Sequence, residues 1–272
     1  MTAHDLFVDG GDGTRIAVRD HSGVGPPLVL IHGHLGNLAS FDDVAPRLTT
    51  SYRVVAYDQR GHGWSDSGQT TAETYVADLA AVVSALGLER PVLWGQSFGS
   101  IIAAVAISAG IEVRALVNED GFIIDGDPPS EDELTEGRRV FPAGSLDAVL
   151  DGWSTAAAGM PAGVATGERS LLRHADGRIE LRPTQTELTD KVRAMWSAPI
   201  AAMYRALTAP VLLLAAREGG LAASGHRESD VDHLTRTAAG PVTVRWFETD
   251  HWISALDPEG VAAAVRGFAR DL

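Results

Sequence analysis

The stretch of sequence that decides the fold is Gly95-Gln96-Ser97-Phe98-Gly99. It follows the apolar, strand-like residues 91–94 and precedes the apolar, helix-like residues 100–106. A G-x-S-x-G motif between a strand and a helix is typical of a nucleophile elbow, a turn so sharp that only small residues fit two positions either side of the serine. The turn projects the serine hydroxyl above the sheet. We therefore predict that Ser97 is a nucleophile, and a purely structural turn is the alternative.

The composition, with 45% hydrophobic and 21% charged residues, is ordinary for a globular protein. A chain of 272 residues can bury a full core, and the absence of cysteine excludes thiol chemistry and thiolate metal sites. The net charge of −14 argues against nucleic acid or an anionic membrane surface as a partner. The first residues lack the basic and apolar regions of a signal peptide, and no apolar run has the length of a membrane span. We expect a cytoplasmic monomer or homodimer.

Apolar runs of strand length alternate with longer helical patterns, which predicts a mostly parallel sheet with helices on both faces. The predicted strands lie near residues 5–9, 14–20, 27–32, 53–58, 91–94, 112–119, 210–216 and 242–247. The predicted helices lie near residues 39–48, 71–86, 100–106, 229–239 and 258–272.

Between residues 121 and 207 the alternation stops, and proline, glycine and acidic residues mix with helical stretches. The simplest interpretation is a sheet domain that is split by an inserted helical cap. We therefore predict a core domain formed by residues 1–120 and 208–272, with a cap formed by residues 121–207.

A serine hydroxyl needs a general base within hydrogen-bond reach before it becomes a good nucleophile. His251 directly follows the last predicted strand, and parallel strands end at the same edge of a sheet, so its loop can reach Ser97. His62 lies in a glycine-rich loop, where we expect it to set the loop geometry. Five further histidines are predicted to lie on the surface: His4, His21, His174, His226 and His233.

An attacked carbonyl group develops an oxyanion, which needs two hydrogen-bond donors. The elbow itself supplies the backbone N–H of Phe98. The second donor is predicted to be the backbone N–H of His34, in the loop after the strand near 27–32, because Gly33 lets that backbone approach closely. The alternative is that His32 and Gly33 only form a tight turn.

Several motifs in a fixed order resemble the α/β-hydrolase superfamily over essentially the whole chain. They are His32-Gly33, Asp58-Gln59-Arg60-Gly61-His62-Gly63-Trp64-Ser65, the elbow and His251. The resemblance is to capped serine hydrolases. It implies a mostly parallel eight-stranded sheet with helices on both faces, an inserted helical cap, the order nucleophile, acid and histidine, and no cofactor. It also implies that the second motif is a structural signature.

The position of the acid departs from the common pattern of this superfamily. Gly219 occupies the place of the usual aspartate after the strand near 210–216. Haloalkane dehalogenases and zearalenone-type lactone hydrolases take the acid from the end of the preceding strand, which implies Asp120 here. Glu218 and then Glu119 remain alternatives. Neighbouring strand residues point in different directions, so only one of Glu119 and Asp120 can serve, and Asp120 could instead only cap a turn.

A serine nucleophile implies an acyl-enzyme intermediate, and the expected reaction is hydrolysis of an ester or lactone. Haloalkane dehalogenases and epoxide hydrolases need a carboxylate at the elbow, so Ser97 argues against both activities. The same triad also serves C–C bond hydrolases, thioesterases, amidases and perhydrolases. A receptor that keeps the hydrolase fold, with vestigial turnover, is an alternative from another class.

Large apolar residues near the predicted site suit a small, largely apolar substrate. The predicted lining residues are Leu35, Trp64, Phe122, Trp153, Trp196, Tyr204 and Trp252. The alternative is that most of these side chains fill the core of the cap itself.

Overall fold

The computed structural model describes residues 3–123, 125, 140–141, 144, 167–218 and 228–269. Within these residues one sheet of eight strands dominates the molecule. Its strands are β1 (His4–Asp9), β2 (Arg15–Ser22), β3 (Pro27–Ile31), β4 (Arg53–Tyr57), β5 (Val92–Gln96), β6 (Ala115–Glu119), β10 (Val211–Ala216) and β11 (Val242–Phe247).

The strand order across the sheet is β1-β2-β4-β3-β5-β6-β10-β11. The β1–β2 and β2–β4 pairs are antiparallel, and the pairs from β4 to β11 are parallel. This is the mostly parallel, eight-stranded sheet that the sequence predicted. In the described part of the core, the helices that accompany it are α1 (Ala72–Ala85), α2 (Phe98–Ser108), α5 (Glu228–Thr237), α6 (Ile253–Leu256) and α7 (Pro258–Ala269).

The central strands are buried on both faces, which explains why their sequences are continuous apolar runs. Along β3, Leu28 and Leu30 belong to one hydrophobic cluster, whereas Val29 and Ile31 belong to the other. The two clusters therefore lie on opposite faces of the sheet. A strand packed in this way is rigid, so the loops at its carboxyl end have fixed starting points.

The described part of the inserted segment, residues 121–207, contains more than the predicted helices. Helices α3 (Gln185–Trp196) and α4 (Ile200–Ala206) are present, together with a small antiparallel sheet of order β7-β9-β8. Its strands are β7 (Val140–Phe141), β8 (Leu171–Arg173) and β9 (Ile179–Leu181). Strands of two or three residues are too short to show a period of two, so the sequence pattern did not reveal them.

The predicted helix at 39–48 is also different in the structure. It consists of two short 3-10 turns, Leu38–Phe41 and Ala45–Leu48. Pro46 lacks a backbone N–H and therefore starts a new turn instead of continuing a helix. Among the residues that the structure describes, no helix combines the length and apolar character that crossing a membrane requires.

Candidate active site

The turn between β5 and α2 has the geometry of a nucleophile elbow. Ser97 has φ 51° and ψ −120°, a conformation that non-glycine residues rarely adopt. A side chain at Gly95 would collide with the backbone of Ser100, and one at Gly99 would collide with the carbonyl group of Ile31. The two glycines of the motif are therefore required by close backbone packing around a strained, half-buried Ser97.

Backbone hydrogen bonds hold Ser97 in this conformation. Its N–H donates to the carbonyl oxygen of Glu119 at 2.8 Å. Its own carbonyl oxygen accepts from the Ser100 N–H at 3.0 Å and from the Ser100 hydroxyl at 2.6 Å. These contacts offset the cost of the strained φ angle and connect the elbow to the carboxyl end of the adjacent strand β6.

Asp120 and His251 meet at the same edge of the sheet. Nδ1 of His251 lies 2.7 Å from Oδ2 of Asp120, and the other carboxylate oxygen accepts from the Ala216 N–H at 3.2 Å. Asp120 is fully buried, whereas the His251 side chain is 17% exposed. A carboxylate on Nδ1 favours the tautomer in which Nε2 is the basic nitrogen, which is the tautomer that a general base needs.

The other two candidate carboxylates do not contact His251. Glu119 is buried on the opposite side of the strand, where its oxygens accept from Trp94 Nε1 at 2.9 Å and from the Ser254 N–H at 2.8 Å. This burial raises the pKa of Glu119 to about 6. The Glu218 side chain is exposed. Among the residues described, the geometry for orienting His251 is therefore found at Asp120.

The loop after β3 lies against the elbow. A Cβ atom added to Gly33 would be 3.3 Å from the Cβ of Ser97, and the Gly33 N–H donates to Oε1 of Gln96 at 3.2 Å. The rings of His34 and Phe98 are in contact, with their centroids 5.5 Å apart. The structure thus brings the two residues predicted to supply oxyanion donors next to each other and next to Ser97.

Two buried histidines support this loop from behind. The Gln59 N–H donates to Nε2 of His32 at 3.0 Å. Nε2 of His62 lies 2.9 Å from the carbonyl oxygen of His34, and its Nδ1 lies 3.0 Å from that of Arg60. Burial lowers the pKa of both imidazoles well below the ordinary value. The position of His62 agrees with its predicted role in loop geometry.

The surface position predicted for His21 is wrong. His21 is buried, because a β-bulge between Asp20 and Ser22 breaks the alternation of β2. His4 and His233 are exposed, and His174 is partly exposed beside Glu180. His226 lies outside the described residues.

The residues predicted to line a pocket occupy several environments. Leu35, Trp64 and Trp252 are exposed, and Trp252 packs against the ring of His251. The rings of Phe122 and Trp196 are in contact, with their centroids 5.0 Å apart.

The two remaining aromatic residues of that set are Tyr204 and Trp153. Tyr204 is buried, and its hydroxyl accepts from Nδ2 of Asn118 at 2.6 Å, an arrangement typical of a core side chain. Trp153 lies outside the described residues.

Sequence reasoning did not single out three residues that contact the site. Gln96, inside the elbow motif, binds the Gly33 backbone, and Ser254 connects the region after His251 to Glu119. Lys191, on α3, lies 3.2 Å from His62. Gln96 could have been found from its place in the motif. Ser254 and Lys191 could not, because only tertiary contacts bring them to the site.

Comparison with known proteins agrees with this fold. The family model for the α/β hydrolase fold matches residues 26–154. The chain is 26% identical over 255 residues to 2-(acetamidomethylene)succinate hydrolase of Mesorhizobium japonicum (strain LMG 29417 / CECT 9101 / MAFF 303099), which covers 90% of this chain and 88% of the relative. It is 38% identical over 112 residues to 2-hydroxymuconate semialdehyde hydrolase of Pseudomonas sp. (strain CF600), 39% of each chain.

A solved structure extends the similarity over nearly the whole chain. The crystal structure of E-2-(acetamidomethylene)succinate hydrolase superposes with a TM-score of 0.77 at 25% identity, covering 98% of this chain and 99% of the other. These named relatives are hydrolases, which indicates a hydrolase here as well. The sheet order, the matched family model and this structural similarity together show that the chain has the α/β-hydrolase fold.

Proposed function

We propose that this protein is a serine hydrolase that cleaves an ester or lactone of a small, largely apolar substrate through an acyl-enzyme on Ser97. The observation that carries the proposal is the 2.7 Å contact between His251 and the buried Asp120, at the sheet edge where the elbow presents Ser97. A nucleophile, a base and an acid that orients the base are the parts that acyl transfer requires.

In the proposed reaction, the Ser97 hydroxyl attacks the carbonyl carbon while Nε2 of His251 accepts its proton. The oxyanion accepts hydrogen bonds from the backbone N–H groups of Phe98 and His34. His251 then gives the proton to the leaving alcohol, and the acyl group remains on Ser97. A water molecule, deprotonated by His251, releases the acid and restores the hydroxyl of Ser97.

We further propose that residues 121–207 act as a cap over this site. Contacts between the segment and the loops of the core support the assignment. Arg182 donates to the carbonyl oxygens of Gly63 and Ser65 at 3.0 and 2.6 Å. Arg169 donates to the buried carboxylate of Asp58 at 2.8 Å. A segment anchored in this way can exclude water from an acyl-enzyme.

Cleavage of an amide or a C–C bond by the same residues is the second candidate. The names of the two relatives favour it, because one hydrolyses 2-(acetamidomethylene)succinate and the other 2-hydroxymuconate semialdehyde. Both reactions would need the same nucleophile and base, and would differ in the group that leaves.

A substrate panel on the purified protein tests the proposal. The panel contains nitrophenyl esters, lactones, acyl thioesters, N-acyl enamines and vinylogous diketones, each with the wild type and with Ser97→Ala. We expect the highest kcat/KM on an ester or lactone and a loss of at least about 10⁴-fold in Ser97→Ala. A higher kcat/KM on an amide or diketone would favour the second candidate. Tight binding with negligible turnover throughout would favour a receptor.

A further inference from the structure

Lys191 is the only lysine among the 22 lysine and arginine residues of the chain. It lies on α3, and its side chain is fully buried. An arginine cannot shed its proton in a protein, whereas a buried lysine can become neutral. Burial lowers the pKa of Lys191 well below its ordinary value. A lysine can therefore occupy this buried position as a neutral amine, whereas an arginine would keep its charge there.

The contacts of Lys191 are made with the support of the candidate oxyanion loop. Its Nζ lies 3.2 Å from Nε2 of His62. The same Nζ lies 5.0 Å from the ring centroid of Phe98 and 5.9 Å from that of Tyr75. Among the described residues, no carboxylate forms an ion pair with this amine, so its partners are an imidazole and two aromatic faces.

These contacts continue directly to the proposed oxyanion donors. Nε2 of His62, which faces Lys191, also lies 2.9 Å from the carbonyl oxygen of His34. The ring of His34 packs against that of Phe98, the ring that also lies close to the amine of Lys191. One amine on the inserted segment therefore contacts, directly or through one imidazole, both residues whose N–H groups are proposed to bind the oxyanion.

We propose that Lys191 is a positioning residue, which holds His62 and Phe98 so that the loop at His34 keeps its N–H aimed at the oxyanion. This role rests on the proposed function, because it concerns the donors of that reaction. It would also connect the inserted segment to the chemical step. A small displacement of a donor is sufficient to cost a large part of the rate, since these hydrogen bonds matter most in the transition state.

Steady-state kinetics of Lys191→Met test the role, with Arg193→Met as the matched control. Arg193 lies on the same helix, and its side chain is 53% exposed. Rates are divided by the concentration of active sites, measured by labelling with a fluorophosphonate. We expect kcat to fall about 10-fold to 100-fold in Lys191→Met with KM within about 3-fold, and no change in Arg193→Met. An unchanged kcat per labelled site in Lys191→Met would overturn the role.

A double-mutant cycle tests whether Lys191 acts through His62. If the two residues form one unit, Lys191→Met adds little to the loss of kcat caused by His62→Gln alone. Independent effects, whose fold-losses multiply in the double variant, would contradict the assignment. A merely structural role would lower the unfolding midpoint without changing kcat per active site, so thermal unfolding is recorded for the same variants.

Chemical rescue gives a third test, because the chain contains no cysteine that would also be alkylated. Lys191→Cys is alkylated in urea with 2-bromoethylamine, which restores an amine, or with bromoethane, which does not, and is then refolded. We expect the aminoethylated protein to regain most of kcat and the ethylated protein to remain slow. Equal kcat per labelled site in the aminoethylated and the ethylated protein would contradict the positioning role of residue 191. Failure of the proposed function is distinguishable, since the wild type would then show no labelling at Ser97.

Discussion

Asp120 and Glu218 follow adjacent strands, but only the first contacts His251 among the described residues. We expect Asp120→Asn to lower kcat about 10⁴-fold, because an amide stabilises the wrong tautomer of the imidazole and cannot stabilise its cation. Glu218→Gln should retain the wild-type rate, since its side chain is exposed. Initial rates on one ester check both. A loss in Glu218→Gln without a loss in Asp120→Asn would contradict the assignment.

Glu119 should make the stability depend on pH. Burial raises its pKa from 4.5 to about 6, so between these values the folded protein binds this proton more tightly than the unfolded chain does. The free energy of unfolding should therefore fall by about 2 kcal/mol as the pH rises through this window. Glu119→Gln should lack this component. Urea unfolding of both proteins from pH 4 to 7 measures the difference, with Glu218→Gln as the control.

If the free energy of unfolding changed with pH by the same amount in the wild type and in Glu119→Gln, Glu119 would not titrate in this way. The E119Q variant should also be less stable above pH 6. A glutamine has one acceptor oxygen, whereas Trp94 Nε1 and the Ser254 N–H each need one.

At the scale of elements, helix α3 depends on its first turn. Thr184 caps this helix by accepting from the Glu187 N–H at 3.3 Å, while the Glu187 carboxylate accepts from the Thr184 N–H at 2.7 Å. We expect Thr184→Ala to lower the free energy of unfolding by about 1 kcal/mol. Thr186→Ala, in the same turn but exposed, is the control. Urea unfolding that ranks Thr186→Ala as the more damaging change would refute the capping role.

Prediction of the elements from sequence succeeded where a pattern was long or chemically constrained. The elbow needs glycine on both sides of Ser97, and the fully buried strands are continuous apolar runs, so the sequence predicted the elbow and these strands. The 3-10 turns at 38–48, the bulge beside His21 and the three short strands of the inserted segment were not. Each of these depends on one backbone break or on two or three residues, which leave no periodic signal.

At the scale of the whole molecule, a buried ion pair connects the inserted segment to the core. Arg169 Nε lies 2.8 Å from Oδ2 of Asp58, and both side chains are buried. We expect Arg169→Met to lower the free energy of unfolding by about 3 kcal/mol, because it leaves an unpaired buried carboxylate. Arg173→Met, on the exposed side of β8, is the control.

Addition of Asp58→Asn to Arg169→Met should recover part of the lost stability, since it removes the uncompensated charge. Urea unfolding followed by tryptophan fluorescence measures all three variants. Equal stability of the wild type and Arg169→Met would mean that this pair does not hold the segment to the core.

The assembly of the site shows how far sequence reasoning extends across the molecule. The common edge of parallel strands predicted that the loop of His251 can reach the elbow, and the resemblance to dehalogenases and lactone hydrolases made Asp120 one of three candidate acids, the one that contacts His251 in the structure. Residue types could not decide among the three carboxylates. The choice between Glu119 and Asp120 depends on which side of β6 each side chain faces, and Glu218, after β10, differs from both in its exposed side chain. Lys191 was not predicted at all, since only the packing of α3 against the core gives it its neighbours.

Peptide mass spectrometry after treatment with a fluorophosphonate tests the central claim most directly. The reagent reacts with a serine that is activated by a neighbouring base, so it reports on the combined action of the site residues. We predict that one phosphonate is attached to Ser97 in the wild type and that labelling is at least about 100-fold slower in His251→Ala. Rapid labelling of another residue, or a Ser97 that reacts equally fast without His251, would contradict the account.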